Sequence, residues 1–272
     1  MIVLLLIVCL TASASAAQPQ DGEPLRLPIV MYHHVSRHTE RCNDYVVSEA
    51  ELRADLEWLR AHGYETVSTA QLSAWAEGMG TLPKKPCMIT FDDGFESVLA
   101  YAEPLLREYG FCAAAAVIGS VCEQFSALQE HDPELSNLSW EDAAALAQRG
   151  TVEIICHTWN MHVLWPRSGC SKRAGESTLA YRYTLSTDLS RFLTESRNNG
   201  LPPVTAIAYP YGSFCRETTE AARDFGFCMT FTCEERVNCL TRTGEALYNL
   251  GRYNRPHGIS SEKFFSAWEE TA

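Results

Sequence analysis

The residues of this chain that could do chemistry fall in two short runs. The first is TFDDG, whose paired carboxylates are Asp92 and Asp93, and the second is HTWNMH, which begins at His157 and ends at His162. Hydrolysis by a metal-bound water needs one carboxylate on the metal and a second that accepts a proton from the water. The two runs together favour metal-assisted hydrolysis over their other reading, an ordinary Asp-Asp-Gly turn and two unrelated histidines.

The spacing of the two histidines restricts the backbone that could bring them to one ion. On a helix, residues five positions apart diverge by about 140°, and on a strand they face opposite sides. A strand that ends at His157, followed by a loop that returns to His162, would converge them. With Asp93, this set leaves coordination positions open for water and substrate, which suits zinc and also cobalt, nickel or iron.

The elements that must position these residues follow a βα pattern. From Leu27 onward, short apolar runs alternate with helical patterns, which indicates an α/β fold built around a parallel sheet. Ser48 with Glu51 forms a capping box at the start of one helix, and Ser139 begins another. The other predicted helices cover 176–197 and 260–268, and the predicted strands cover 27–35, 64–67, 87–91, 113–118, 152–156, 204–209, 227–231 and 248–253.

Two of the predicted strands run directly into the chemical residues. Asp92 follows the strand over 87–91, and His157 follows the strand over 152–156. Because the carboxyl ends of parallel strands form the catalytic mouth of α/β folds, we expect both residues at one edge of the sheet.

Composition limits the classes of function. The chain has 272 residues, of which 46% are hydrophobic, and this is enough for one large catalytic domain, predicted over 25–272. A formal net charge of -12 disfavours binding to nucleic acid, which requires a surplus of Lys and Arg. It equally disfavours docking on anionic lipid. The sequence does not specify an oligomeric state.

The first seventeen residues have the layout of a cleavable signal peptide. An apolar stretch precedes a run of small residues that ends at Ala17, although no Lys or Arg stands before the apolar stretch. The stretch is shorter than the roughly 20 residues that span a bilayer. We therefore predict a signal peptide over 1–17, a secreted or cell-surface protein and no stable membrane insertion.

The eleven cysteines are many for a chain of this size, and ten follow the predicted signal peptide. Export permits disulfides, but the sequence does not assign their pairing. Cys228, Cys233 and Cys239 lack the tight C-x-x-C pairs of structural zinc sites, so buried thiols or a disulfide are favoured over a thiolate cluster.

A third run, AYPYG, from Ala208 to Gly212, completes a pattern of motifs. In this order, the three runs resemble those of the nodulation-protein-B-like polysaccharide deacetylases, carbohydrate esterase family four. The opening run MYHHV, which contains His33 and His34, is similar to the branch that includes exported poly-N-acetylglucosamine deacetylases. The resemblance implies a distorted (β/α) barrel, removal of N-acetyl groups from an amino-sugar polysaccharide, and an acetylated glycan polymer as binding partner.

Roles for individual residues follow from the same resemblance. It implies that Asp92 is the general base and that a divalent metal, with zinc as the first choice, is bound by Asp93, His157 and His162. A backbone N–H near Tyr211 would stabilise the oxyanion, in a loop fixed by Pro210. Trp159, between the two histidines, is the predicted sugar-stacking residue.

Two positions depart from the family pattern. The arginine that normally orients the base is expected two residues before Pro210, where this chain has Ala208. The leucine-x-histidine run that supplies the general acid is not plain. His257 is the nearest candidate acid in order, with an ordinary surface histidine as its alternative. One of His33 and His34 should face the catalytic mouth, where it could bond a catalytic carboxylate or be structural.

Two other functions remain open on this sequence. One is a metal-dependent amidohydrolase acting on a small cyclic amide, which the predicted signal peptide disfavours. The other is a catalytically impaired glycan-binding protein, which the missing arginine at Ala208 and the unidentified acid keep open. Asp92 favours the enzyme, because a pure binding protein has no need of a free base beside a metal.

Overall fold

The computed structural model describes residues 24–129 and 131–270. In this part of the chain, eight helices surround a curled parallel sheet that forms a half-barrel. The strands are β1 Leu25–Leu27, β2 Ile29–Tyr32, β3 His34–Ser36, β4 Val46–Ser48, β5 Glu65–Thr66, β6 Pro86–Phe91, β7 Ala113–Val117, β8 Val152–Cys156, β9 Ala206–Ala208, β10 Met229–Phe231, β11 Asn238–Leu240 and β12 Tyr253–Asn254. The helices are α1 Glu49–Ala61, α2 Thr69–Ala76, α3 Glu103–Tyr109, α4 Gly119–Leu128, α5 Trp140–Arg149, α6 Thr178–Asn198, α7 Arg216–Asp224 and α8 Ser261–Glu270.

The main sheet has the strand order β10-β9-β8-β7-β6-β2-β12, and β5 pairs with the start of β6. Its pairings are parallel, with Tyr32 opposite Phe91 and Val117 opposite Cys156. The last residues of neighbouring strands therefore lie side by side at one edge. The predicted α/β class and barrel type are confirmed, and the residues that follow β2, β6 and β8 are brought to a common edge.

A short segment near the end of the chain connects the two sides of the half-barrel. Leu250 forms a parallel bridge with Phe231 at the end of β10, and β12 pairs with β2 on the opposite side. Residues 250–254 thus span the opening between β10 and β2. Any side chain that this segment directs inward lies at the catalytic edge.

Alternate residues of the sheet pack on its two faces. Along β7, Ala115 and Val117 join the large core formed with the helices, whereas Ala114 and Ala116 join a second buried cluster on the other face. All five residues of this strand are buried. Because both faces of the strand are covered, its sequence is a continuous run of small apolar residues and does not alternate with polar ones.

The helix caps and central strands agree with the sequence expectations. The predicted capping box of Ser48 and Glu51 starts α1, and Ser139 caps α5, which ends at Gly150 with φ 76°. The expected single strand over 27–35 is instead divided into β1, β2 and β3. Pro28 separates the first two because its nitrogen cannot donate to a ladder.

Four expectations concern features beyond the fold itself. The predicted signal peptide lies outside the described residues, and the domain boundaries stay a prediction. In the described part of the chain, no helix is both long and apolar enough to cross a membrane. Within 24–129 and 131–270, the ten cysteines are free thiols, and of the three that were considered as a cluster, Cys228 and Cys233 are half-buried and Cys239 is exposed.

Candidate active site

Left-handed backbone turns at two strand ends aim the site residues at one another. After β6, Asp93 has φ 69° and is followed by Gly94 with φ 71°. After β8, Thr158 also has φ 69°, and its hydroxyl accepts a hydrogen bond from the amide of Met161 at 3.1 Å. The chain reverses there and returns His162 toward the strand end, as the histidine spacing requires.

Asp93, His157 and His162 come together around one point. Oδ1 of Asp93 lies 3.4 Å from Nε2 of His157 and 3.1 Å from Nε2 of His162. The three potential ligand atoms lie within 4.8 Å of one another. The structure therefore brings together the three residues that the sequence predicted as metal ligands.

The protonation pattern of this cluster fits a cation. Nδ1 of His157 donates a hydrogen bond to the carbonyl of Ala208 at 2.8 Å, which leaves the lone pair of Nε2 directed at Asp93. Oδ1 of Asp93 is buried and receives no hydrogen bond of suitable geometry within the described residues. Unshared lone pairs on buried atoms that face one another are the arrangement that a divalent metal satisfies.

The ionisation of Asp93 supports the same assignment. Burial raises the pKa of this carboxyl, but contacts with His157 and His162 outweigh it and bring the pKa well below the ordinary value. The carboxylate is thus an anion at neutral pH. His162 is oriented from its other side by Tyr211, whose hydroxyl lies 3.1 Å from Nδ1.

Asp188 of α6 holds the loop between the two histidines. Its carboxylate accepts hydrogen bonds from the amides of Trp159 at 2.7 Å and Asn160 at 2.8 Å. Burial raises the pKa of Asp188 to about 6, although these amide bonds oppose the rise. Sequence reasoning missed this residue, because it lies in the middle of a helix with no motif around it.

The base candidate Asp92 is held by Arg252. Both side chains are buried, and the guanidinium donates to Oδ1 at 2.7 Å and to Oδ2 at 2.8 Å. Burial raises the pKa of Asp92, but the charge of Arg252 outweighs it and brings the pKa below its ordinary value. Arg252 thereby supplies the cationic contact that Ala208 cannot. No sequence motif marked this arginine, which lies in the 250–254 segment that spans the opening between β10 and β2.

A cavity of about 530 Å³ opens above the cluster. Its walls include Asp92, Asp93, His33, Tyr45 and Tyr211. Burial lowers the pKa of His33, although Asp92 and Asp93 oppose this shift. Its Nδ1 atom is buried and has no hydrogen-bond partner in the described residues.

His34 lies beside His33 but is engaged differently. Its Nδ1 atom lies 2.8 Å from the hydroxyl of Ser97, and this hydroxyl also accepts the amide of Val35 at 3.1 Å. Of the two adjacent histidines, His33 is therefore the one with a free ring nitrogen beside the carboxylates. The expectation that only one of the pair faces the mouth is corrected, because both histidines line the cavity.

Two predicted site residues, Trp159 and His257, lie outside the catalytic cavity. Trp159 is only 5% exposed, stacks against Trp140 and is covered by the guanidinium of Arg191, so its ring is not a wall of the groove. His257 lies 2.7 Å from Glu51 and is not among the residues that line the cavity. The expectation of a sugar-stacking role for Trp159 is corrected by its burial.

Pro210 and Tyr211 form a tight turn at the cavity. Pro210 is buried and begins a 3-10 turn, in which Tyr211 has φ 57° and presents its ring to the cavity. Asp93, Thr158 and Tyr211 are thus three non-glycine residues with left-handed backbone beside the same centre. Such conformations each cost of order 1–3 kcal/mol and persist where the surrounding structure enforces them.

The fold and the site together define a hydrolase-type centre at the carboxyl edge of a half-barrel. The sequence model of the family described as "Polysaccharide deacetylase" matches residues 79–230. The chain belongs to the polysaccharide deacetylase family, which confirms the predicted family. The matched segment includes Asp92, Asp93, His157 and His162, whereas His33 and Arg252 lie outside it.

Similar proteins agree with this membership. The chain is 27% identical over 261 residues to the poly-beta-1,6-N-acetyl-D-glucosamine N-deacetylase of Escherichia coli (strain K12), with 85% of this chain and 39% of that protein covered. The chain thus spans well under half the length of that relative. The structure of IcaB from Ammonifex degensii is 26% identical, with a TM-score of 0.68 and coverage of 86% and 92%.

A second solved structure supports the fold alone. The de-N-acetylase from Aggregatibacter actinomycetemcomitans has a TM-score of 0.73 at 24% identity, with 91% of this chain and 100% of that chain covered. Nearly all of the described chain therefore shares the architecture of these proteins.

Proposed function

We propose that this protein is an exported, metal-dependent deacetylase that removes N-acetyl groups from an amino-sugar polysaccharide. The observation that carries the proposal is the position of Asp92 beside the cluster of Asp93, His157 and His162, at the floor of one cavity. Hydrolysis of an acetamide requires a carboxylate base beside an Asp-His-His ligand set that leaves coordination positions open for water and substrate.

The metal would be held by Asp93 and the Nε2 atoms of His157 and His162. Zinc is the first choice for this ligand set, and cobalt, nickel and iron share its preference for imidazole and carboxylate. When bound, the ion supplies Lewis acidity, which polarises the acetamide carbonyl and lowers the pKa of a water.

The protein groups account for the movements of protons. Asp92, kept ionised by Arg252, accepts the proton of the attacking water. The backbone N–H of Tyr211 donates to the oxygen on which negative charge develops. This turn is held in place by the buried Pro210.

His33 is the better-placed candidate for the general acid that protonates the leaving amine. It lines the cavity with both carboxylates, and its Nδ1 atom has no partner in the described residues. His257, engaged by Glu51, does not line the cavity. We therefore assign the acid to His33.

A β-1,6-linked N-acetylglucosamine polymer is the first substrate to test, since the E. coli relative carries that substrate in its name. Burial of Asp92 with Arg252 removes the main support for a catalytically impaired glycan-binding protein, because the base has its cationic partner. The other alternative, hydrolysis of a different amide, is an outcome of the experiment.

Acetate release from β-1,6-linked and β-1,4-linked N-acetylglucosamine oligomers, by protein reconstituted with Zn²⁺ or Co²⁺, tests the proposal. Asp92→Asn should lower turnover by about 10²- to 10⁴-fold while metal binding is retained. His157→Ala should lose both. Absence of acetate release from every acetylated oligomer, by protein that binds its metal, would reject deacetylation of these glycans.

A further inference from the structure

A second group of metal-type ligands lies outside the catalytic cavity. Cys42, Glu51 and His257 each direct one potential ligand atom to a common point, and these atoms lie within 4.8 Å of one another. Cys42 and Glu51 are half-buried, and His257 is exposed. A thiolate, a carboxylate and an imidazole on three separate segments form a mixed set that Zn²⁺ accepts, with water as the fourth ligand.

The surroundings of Cys42 are acidic. Burial raises the pKa of its thiol, and the carboxylates of Glu51, Glu134 and Glu40 raise it further. Without a cation, the thiolate is therefore disfavoured. The same negative charges favour a divalent cation, whose binding expels the thiol proton to solvent.

The hydrogen bonds of Glu51 hold two of the three groups together, and the thiol of Cys42 makes a separate, long contact with the carbonyl of His38 at 3.8 Å. Oε2 of Glu51 caps α1 through Ser48 at 2.8 Å and lies 2.7 Å from Nδ1 of His257, and Oε1 accepts the amide of Gly258 at 2.8 Å. These contacts already aim the imidazole and the carboxylate at each other. An ion between them would displace the proton that they share to solvent. The sulfur of Cys42 would then be its third protein ligand.

The cluster joins two segments that both reach the catalytic cavity. The amide of His257 donates to the carbonyl of Asn43 at 3.1 Å, and the side-chain amide of Asn254 donates to the carbonyl of Asp44 at 2.9 Å. Tyr45 and Asn254 line the cavity, and the ring of Tyr45 packs edge-on against His33 with centroids 5.0 Å apart. A crosslink at this point would hold one wall of the cavity.

We propose that Cys42, Glu51 and His257 form a second divalent-cation site, selective for Zn²⁺-type ions, that clasps the 42–46 loop to the 254–258 segment. The site is separate from the catalytic ligands and does not depend on the proposed deacetylase activity. Its ion is structural: three protein ligands fix the loop that carries Tyr45.

Cobalt substitution distinguishes the two sites by their spectra. Only a cysteine ligand produces an intense thiolate-to-cobalt charge-transfer band in the near ultraviolet, and the catalytic Asp-His-His set has none. Titration of the reduced, metal-free protein with Co²⁺ should therefore give this band together with the weaker visible bands of the catalytic ion. Cys42→Ser should abolish the charge-transfer band and keep the visible ones.

Cys239→Ser is the matched control, because Cys239 is an exposed thiol outside the cluster. It should retain the charge-transfer band, and His257→Gln should weaken it. As an independent measurement, Zn²⁺ should slow hydrogen exchange at the amides of Asn43 and Val46, which pair with each other's carbonyls, in the wild type but not in Cys42→Ser. A band that persists in Cys42→Ser, or visible cobalt bands without any charge-transfer band in the wild type, would overturn the proposal.

Discussion

Arg252 binds both carboxylate oxygens of Asp92, although the two residues are 160 positions apart in the chain. The guanidinium is itself fixed, since its Nε donates to the carbonyl of Thr232 at 2.9 Å. Arg252 lies in the segment that bridges β10 and β2. The orientation and charge of the base are therefore set by the residues that close the half-barrel.

Replacement of Arg252 by lysine should change the pH dependence of the reaction. Lysine cannot donate two parallel hydrogen bonds to Asp92, so the pKa of this carboxyl rises from its present low value. The acidic limb of the kcat/KM profile should move to higher pH, by about one pH unit for each 1.4 kcal/mol of interaction free energy that is lost. The measurement is a pH–rate profile with a metal-loaded variant.

Arg255→Lys is the matched control for this experiment. Arg255 makes an equally buried two-point contact with Asp55, at 2.8 and 3.0 Å, away from the base. It should lower stability without moving the acidic limb. An equal shift in both variants would show that the effect comes from general loosening of the segment.

His33→Gln should act on the other side of the profile. If His33 donates the proton to the leaving amine, its loss lowers kcat by about 10²- to 10⁴-fold and removes the alkaline limb that a histidine acid imposes. His34→Gln should lower thermal stability, through loss of the Ser97 contact, and keep the alkaline limb. Retention of the limb in His33→Gln would assign the acid elsewhere.

Asp188 makes a specific contribution to the pH dependence of stability. Its pKa is about 6 in the folded protein against an ordinary 3.8, so between these values the folded state binds more protons than the unfolded state. This group therefore lowers the free energy of unfolding as pH rises through that interval, and the change is complete above pH of about 6.

Asp188→Asn should remove this slope. The difference in unfolding free energy, wild type minus variant, should fall from pH 4 to pH 6 in denaturant titrations at several pH values. The variant should also bind the catalytic metal more weakly, because the amide side chain cannot accept both loop N–H groups. A constant difference across this pH range would contradict the assigned pKa.

The two tryptophans near the histidine loop should behave in opposite ways. Trp159→Ala should cost about 3–5 kcal/mol of stability, because a large ring is removed from a packed site. Trp165, which is 85% exposed, should cost less than about 0.5 kcal/mol when replaced by alanine. Chemical denaturation of both variants measures this contrast, and a small cost for Trp159→Ala would argue against its burial.

The sequence by itself determined the elements and the local chemistry. The capping box of Ser48 and Glu51 fixed the start of α1, and the strands before Asp92 and His157 followed from their mainly apolar runs. These features are decided within a few residues, by backbone hydrogen bonding and by burial of both strand faces. The same local reasoning required a strand end and a returning loop for His157 and His162.

Only the tertiary structure decided which distant groups meet at the site. Arg252 reaches Asp92 because β12 pairs with β2 beside β6, and Asp188 reaches the histidine loop from the middle of α6. Burial likewise separated Trp159 from the groove and left His33 facing it. Contacts between residues far apart in the chain depend on sheet order and register, and a single sequence carries no local signal for either.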